Sequence, residues 1–168
     1  MNKKPKIYVI ADTHFNHKRI IELAYRPEDY QERIVKSLEV LNEGDTLIHL
    51  GDIALGQEAK VHEEVFLPLP CRKILVKGNH DGHSSNWYMN HGWDFCCRSY
   101  MDKFFGYKIL FTHAPVSIPK DINLNIHGHL HAEVHRTYPF MWGLRRQHIL
   151  VSLEQLGYKP VLLESLIP

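Results

Sequence analysis

The chain has 168 residues, 44% of them hydrophobic, with 20 basic and 19 acidic side chains and a formal net charge of +1. That size supports one domain with a substantial core, expected to run over residues 1–168. The near-neutral charge argues against a long nucleic acid or an anionic membrane surface as partner, and no segment is long and apolar enough to span a bilayer. Lys6–Asp12 is a short apolar run that reads as a buried strand ending at Asp12. Glu28–Glu43 places Ile34, Val35, Leu38 and Leu41 at helical spacing and stops at Gly44. Thr46–Gly51 is a second strand, ending at Asp52. Gln57–Leu67 is a second helix, broken by Pro68 and Pro70. Lys73–Lys77 is a third strand, running into Gly78-Asn79-His80-Asp81. The alternation predicts right-handed crossovers and a parallel sheet.

The second half changes character. Ser84–His91 predicts one or two helical turns with a serine cap. Phe95–Phe105 and Tyr107–Thr112 predict a hairpin turning near Gly106. Asn123–Ile126 and Ala132–Tyr138 read as strands around Gly128-His129-Leu130-His131, and Gln147–Leu153 with Val161–Glu164 as a last strand pair. This half is expected to be strand-rich and largely antiparallel. Cys71, Cys96 and Cys97 form no disulfide framework, and Cys96 and Cys97 face opposite sides if they lie in a strand. The basic stretch Met1–Lys6 lacks the apolar run of a signal peptide, so a reducing, cytoplasmic setting is expected.

Thirteen histidines are the unusual feature of the composition. Five of them fall in short polar turns: Asp12-Thr13-His14, Gly78-Asn79-His80-Asp81, Thr112-His113 and Gly128-His129-Leu130-His131, with Gly51-Asp52 beside them. The donors are oxygens and imidazoles without thiolate, which suits hard or first-row divalent metals. Asp12, Asp52 and Asn79 each fall at the C-terminal end of a predicted strand, the edge where open α/β sheets bind ligands. Three metal-capable side chains at three equivalent edges are expected to be neighbours in space. Taken singly, Asp12 can be a helix cap and Asp52 or Asn79 a turn former. Five pieces together favour a metal site.

The ordered set DTH, GD, GNHD, a lone His and GHLH resembles the calcineurin-like metallophosphoesterase superfamily, small bacterial and phage members included, from residue 12 to residue 131. The closing stretch Val151–Leu163 is also similar to the final strand pair of those members. The resemblance implies a two-sheet α/β sandwich with flanking helices and metals at one sheet edge. It implies that Asp12, His14, Asp52 and His131 hold one metal and that Asp52, Asn79, His113 and His129 hold the other, with Asp52 bridging. Two divalent ions are implied, manganese first, with iron, zinc, nickel or cobalt as alternatives. His80 would stand over the leaving group as proton donor or positioning group, with Asp81 orienting it through a hydrogen bond. Two cations about 3.5–4 Å apart clamp both oxygens of an in-line displacement and make hydroxide available near neutral pH.

The implied function is hydrolysis of a phosphate ester by attack of a hydroxide bridging two metals. With no insertion long enough to be a cap domain, an open cleft is expected, which favours phosphodiesters and a small, nucleotide-like phosphorylated substrate. Phosphomonoesterase activity on a metabolite or nucleotide is the alternative, and a non-catalytic scaffold of the same fold is another. His17, Arg19 and His83 are candidates for touching substrate phosphate, with solvated loop positions as the equal alternative. His49 reads as a satisfied core histidine, and His127 stands beside the GHLH turn. Arg136, Arg145 and Arg146 read as a solvated face or a basic rim. Trp87, Tyr88, Trp93, Phe95, Phe140 and Trp142 read as core or rim packing, with base stacking as an alternative.

Overall fold

A computed structural model of the chain describes residues 4–131 and 147–168. The first half follows the predicted alternation. β1 (Ile7–Ile10), β2 (Thr46–His49) and β3 (Arg72–Val76) pair in parallel. Between them lie α1 (Ile20–Leu23), α2 (Tyr30–Leu38) and α3 (Glu58–Val61), the last continued by a π-helical turn over His62–Phe66. α4 (Ser85–Asn90) follows, and the Ser84 hydroxyl caps it by accepting from the Trp87 N–H at 3.2 Å.

Period-two alternation decides which core each strand residue joins. Tyr8, Ile10, Leu47 and Leu75 face the helices, where they meet Ile34, Leu38, Phe66, Tyr88 and Trp93. Val9, Ile48, Ile74 and Val76 face the other way, against Ile109, Phe111, Leu124 and Ile126 of the second sheet. Each such fully buried side chain contributes about 1.5–3 kcal/mol. Cys96 packs with the first group and Cys97 with the second, opposite sides as expected.

The second half departs from expectation in three places. The stretch Phe95–Phe105 is two strands, not one: β4 (Phe95–Cys97) adds in parallel to β3, and β5 (Ser99–Phe104) belongs to the second sheet. The chain crosses between sheets at Arg98. β5 and β6 (Tyr107–Thr112) form the predicted hairpin, with Phe105 and Gly106 both at positive φ. The sheet is otherwise parallel, since β7 (Leu124–His127) pairs with β6 and β8 (His148–Leu150) with β7 in that sense. The predicted last strand pair is not a pair. β8 lies in the second sheet, α5 (Leu153–Leu156) follows, and β9 (Val161–Leu162) runs antiparallel to β1 in the first sheet before α6 (Leu163–Leu166). Alternation reports which face of a strand is buried; it carries no information on partner or direction, and these errors share that cause. The predicted strand Ala132–Tyr138 lies outside the described residues.

The result is two mixed sheets face to face with flanking helices, in the order β4-β3-β2-β1-β9 and β5-β6-β7-β8. β1, β2, β3, β6 and β7 all end at one edge of this sandwich. No helix among the described residues is long and apolar enough to cross a membrane.

Candidate metal centre

Asp12 and His14 follow β1, Asp52 follows β2, Asn79 follows β3, His113 follows β6, and His129 and His131 follow β7. Backbone hydrogen bonds stitch the first two loops together: the N–H groups of Asp12, His14 and Phe15 donate to the carbonyls of Gly51, Asp52 and Ile53 at 3.0, 3.0 and 2.8 Å. The turns are sharp. Asp12, His14, Asp52, His129 and His131 all have φ between 46° and 69°, the left-handed region that non-glycine residues rarely adopt. Each such residue costs on the order of 1–2 kcal/mol, and their concentration in one place marks a site shaped for something other than stability.

Two glycines make room for the carboxylates. A Cβ on Gly78 would lie 2.1 Å from Asp52 Oδ1, and one on Gly128 would lie 2.4 Å from Asp12 Oδ2. Both oxygens are held by backbone donors instead. His80 N–H donates to Asp52 Oδ1 at 2.8 Å, and His129 N–H donates to Asp12 Oδ2 at 2.8 Å.

The side chains gather into two clusters able to hold a metal ion, Asp12/His14/His131 and Asp52/His113/His129, each with its donor atoms within 4.8 Å of one another. Asp52 Oδ2 stands between them, 3.7 Å from His14 Nε2 and 3.3 Å from His113 Nε2. Asn79 Oδ1 lies 3.0 Å from His113 Nε2, which is also 3.0 Å from His129 Nδ1. His113 Nδ1–H donates to the Leu50 carbonyl at 2.8 Å, which turns Nε2 towards the cluster.

The donor set fits divalent cations on a local observation. Asp12 Oδ1 and both ring nitrogens of His14 are buried without a hydrogen-bond partner among the described residues. Buried polar atoms are nearly always paired, and a bound cation would satisfy Asp12 Oδ1 and one of the two His14 ring nitrogens. The electrostatics agree. Burial pushes the Asp12 carboxyl up to about 6 and the His14 imidazole down to about 2, so His14 is held as the neutral ring that a metal takes, and a cation beside Asp12 would offset the cost of burying its carboxylate. Burial opposes the charged forms of Asp52 and His113 too. Their mutual attraction outweighs it, holding Asp52 well below the usual carboxylate range and pushing His113 up to about 9.

Two residues that the sequence did not single out complete the site. Arg26 is buried under the first loop, where its guanidinium donates to the carbonyls of Asp12 at 2.7 Å and Thr13 at 3.1 Å. It also pairs with Glu154, 128 residues away, with Nε to Oε1 at 2.8 Å. Glu154 Oε1 in turn accepts from His131 Nδ1 at 3.1 Å, which leaves Nε2 available to a ligand. No local motif marks either residue.

Among the other candidates, the His80 side chain is partly exposed at the mouth, its Nε2 4.0 Å from Asp52 Oδ2. His17 stands beside it, with ring centroids 5.4 Å from His14 and 6.2 Å from His80. Asp81 does not bond His80. Its Oδ2 accepts from the N–H groups of Asp52 and Gly78 at 2.8 and 2.7 Å and its Oδ1 from Ile53 at 3.2 Å, so it braces the loop that carries Asp52. His83 turns away from the centre, pairing with Glu58 at 2.6 Å and stacking on Trp87 at 3.9 Å. His91 covers the other face of Trp87 at 3.8 Å, so that ring has no face open for a base. Arg19 is exposed at the start of α1. His49 is a satisfied core histidine: its Nε2 lies 3.0 Å from Thr13 Oγ1 and its Nδ1 accepts from Gly51 N–H at 3.0 Å. Arg136, Phe140, Trp142, Arg145 and Arg146 lie outside the described residues.

Comparison with known proteins places this geometry. The chain is 33% identical over 96% of its length to an uncharacterized protein of Methanocaldococcus jannaschii, covering 89% of that protein. It is 35% identical over 78 residues to the Gene 66 protein of Mycobacterium phage L5, a match covering 43% of this chain and 38% of that one. Its fold is similar to the crystal structure of a protein of unknown function from Aquifex aeolicus, at a TM-score of 0.79 and 28% identity, covering 96% and 97% of the two chains. The fold is also similar to that of an archaeal phosphodiesterase, at a TM-score of 0.53 and 19% identity, covering 94% and 99%. The family model described as calcineurin-like phosphoesterase matches residues 5–156, and the chain belongs to that family.

Proposed function

We propose that this phosphoesterase hydrolyses a phosphodiester with two divalent metal ions, manganese first among them, held at the sandwich edge. Asp12, His14, Asp52 and His131 would hold one ion, and Asp52, Asn79, His113 and His129 the other. The observation that carries the reading is the pair of clusters sharing Asp52 Oδ2, with the orphaned Asp12 Oδ1 and His14 ring nitrogens at their base. When bound, two such ions supply a nucleophilic hydroxide near neutral pH and neutralise charge on the phosphoryl oxygens.

The chain's own residues do the rest. Asp52 is a shared carboxylate on a turn braced by Asp81, so its two oxygens are held in fixed directions. His80 stands at the solvent-facing side of Asp52, where an imidazole can hand a proton to the departing alkoxide. His17, beside His80, is placed to meet a phosphoryl oxygen. Glu154 and Arg26 keep His131 oriented. An open cleft of about 760 Å³ beside Asn79, His113 and His129 leaves room for a second ester substituent, which supports a diester over a monoester.

The test is hydrolysis of an aryl phosphodiester against the matching aryl monoester, with metal-stripped protein reloaded with manganese. A clear diester preference is expected. A monoester preference would overturn the diesterase reading, and turnover of neither substrate with two metals bound would overturn catalysis altogether.

A further inference from the structure

The cleft beside the Asp52/His113/His129 cluster has a wall that the hydrolytic chemistry does not use. Arg98 forms it, at the point where the chain passes from the first sheet to the second. The two registers fix its neighbours. Val76 pairs with Cys97 in the first sheet, so Lys77 is the position next to Arg98 on one side, and Lys77 N–H donates to the Cys97 carbonyl at 2.8 Å. Ser99 pairs with Thr112 in the second sheet, so His113 is the position next to Arg98 on the other side. Arg98 is therefore one register step from a residue of the metal-capable cluster, and Arg98, Lys77, Asn79, His113 and His129 all line the same cleft.

The charge of that lining is one-sided. The Arg98 side chain is exposed and makes no hydrogen bond or ion pair with any described residue. Lys77 also lines the cleft, with its ammonium anchored on the His83 carbonyl and 5.3 Å from the Tyr88 ring. The single carboxylate in the lining, Asp81, is consumed by three backbone N–H groups. Two side-chain cations next to a centre suited to divalent cations repel one another unless an anion lies among them. A guanidinium presents a planar fork that matches a phosphate group. The cleft, at about 760 Å³, is large enough for a nucleoside-sized group between the two phosphates.

We infer that this cleft binds a second phosphate of the substrate, carried on the ester substituent, with Arg98 as the specificity-determining residue. The substrate class is a phosphate ester bearing a further phosphate, of nucleotide size. The inference rests on the phosphoesterase reading of the metal centre, which would take the first phosphate.

The test is calorimetric binding to the full-length, manganese-loaded protein at constant free manganese. The probes are thymidine 3′,5′-bisphosphate, thymidine 3′-monophosphate and thymidine 5′-monophosphate. The wild type is expected to bind the bisphosphate at least about tenfold more tightly than either monophosphate. In Arg98→Ala that ratio should fall towards one, and in Arg98→Lys part of it should remain. If Arg98→Ala fails to fold, Arg98→Gln gives the same readout with a side chain of similar length. A wild-type ratio near one, or a ratio that survives in Arg98→Ala or Arg98→Gln, overturns the assignment. Because the readout is binding, it is independent of turnover. A collapsed ratio in the variant alongside no aryl ester hydrolysis would remove the hydrolase reading and leave the second phosphate site standing.

Discussion

Glu154 Oε1 lies 3.1 Å from His131 Nδ1, although the two residues are 23 positions apart in the chain, one just after β7 and the other in α5. The same oxygen is 2.8 Å from Arg26 Nε. One carboxylate thus orients a metal-capable imidazole and neutralises a buried guanidinium, and burial is outweighed by these partners so that its carboxyl is held down at about 2.

Removing that carboxylate should therefore cost twice. Glu154→Ala is expected to weaken manganese affinity by roughly 10–100-fold, the usual worth of an outer partner to a ligating histidine. It should also destabilise the fold by about 3–5 kcal/mol, since Arg26 would be left buried and unpaired. Manganese titration and urea denaturation check both, and unchanged metal affinity would remove Glu154 from the metal centre.

Asp52 Oδ2 lies 3.7 Å from His14 Nε2 and 3.3 Å from His113 Nε2, closer to both clusters than Asp12 Oδ1, which is 4.0 Å from His14 Nε2 and 3.9 Å from His113 Nδ1. Asp52→Asn is expected to loosen both metals together, so that bound manganese falls below two per chain and turnover is lost. Elemental analysis after gel filtration measures it. Retention of two metals with full turnover would refute a bridging role.

His80 stands near Asp52 but at the mouth, outside both clusters. His80→Ala should lower kcat by about 10²–10⁴ while manganese content stays near that of the wild type. Loss of metal along with activity would place His80 among the ligands instead.

Gly78 is tight for a steric reason that Gly82, four residues on, does not share. A Cβ at Gly78 meets Asp52 Oδ1 at 2.1 Å and Asp52 N at 2.6 Å, whereas one at Gly82 meets nothing within 4 Å. Gly78→Ala should destabilise by about 1–3 kcal/mol and weaken metal binding, with Gly82→Ala close to neutral. Equal melting temperatures for the two variants would contradict the close approach.

His62 predicts an acid limit to stability away from the metal centre. It is buried, its Nδ1 accepts from Trp93 Nε1–H at 2.9 Å, and burial lowers its imidazole from 6.5 to about 4. The native state takes the neutral ring, so below pH 6.5 the unfolded chain gains a proton that the native chain does not. The stabilisation is complete above pH 6.5, is lost as pH falls from there to about 4, and amounts to about 3 kcal/mol. Denaturation at pH 4 to 7 should show that slope, and His62→Gln, which keeps an acceptor for Trp93, should flatten it.

The legible part of this protein was local. Each of the five motifs sits on a turn of a few residues, and the strand–helix–strand alternation before Asp52 and Asn79 is written in apolar spacing. Those features depend on neighbours within a turn or two, where sequence and conformation are coupled. The same rule placed His49 in the core and Ser84 at the cap of α4.

What only the tertiary structure decided is pairing at a distance. Strand partners and directions depend on backbone hydrogen bonds that any residue can make, so the parallel β6-β7-β8 order and the separation of β8 from β9 left no trace in alternation. Arg26 and Glu154 are ordinary surface-type residues in sequence, 128 positions apart, and they become a buried pair only because β7 and α5 bring His131 and Glu154 over the first loop. Arg98 gained its position the same way: two registers in two sheets set it beside both Lys77 and His113. The sequence by itself determined which groups could do chemistry, because donor identity is a property of the residue. The folded chain decided which of them act together, because proximity between distant residues is a property of packing.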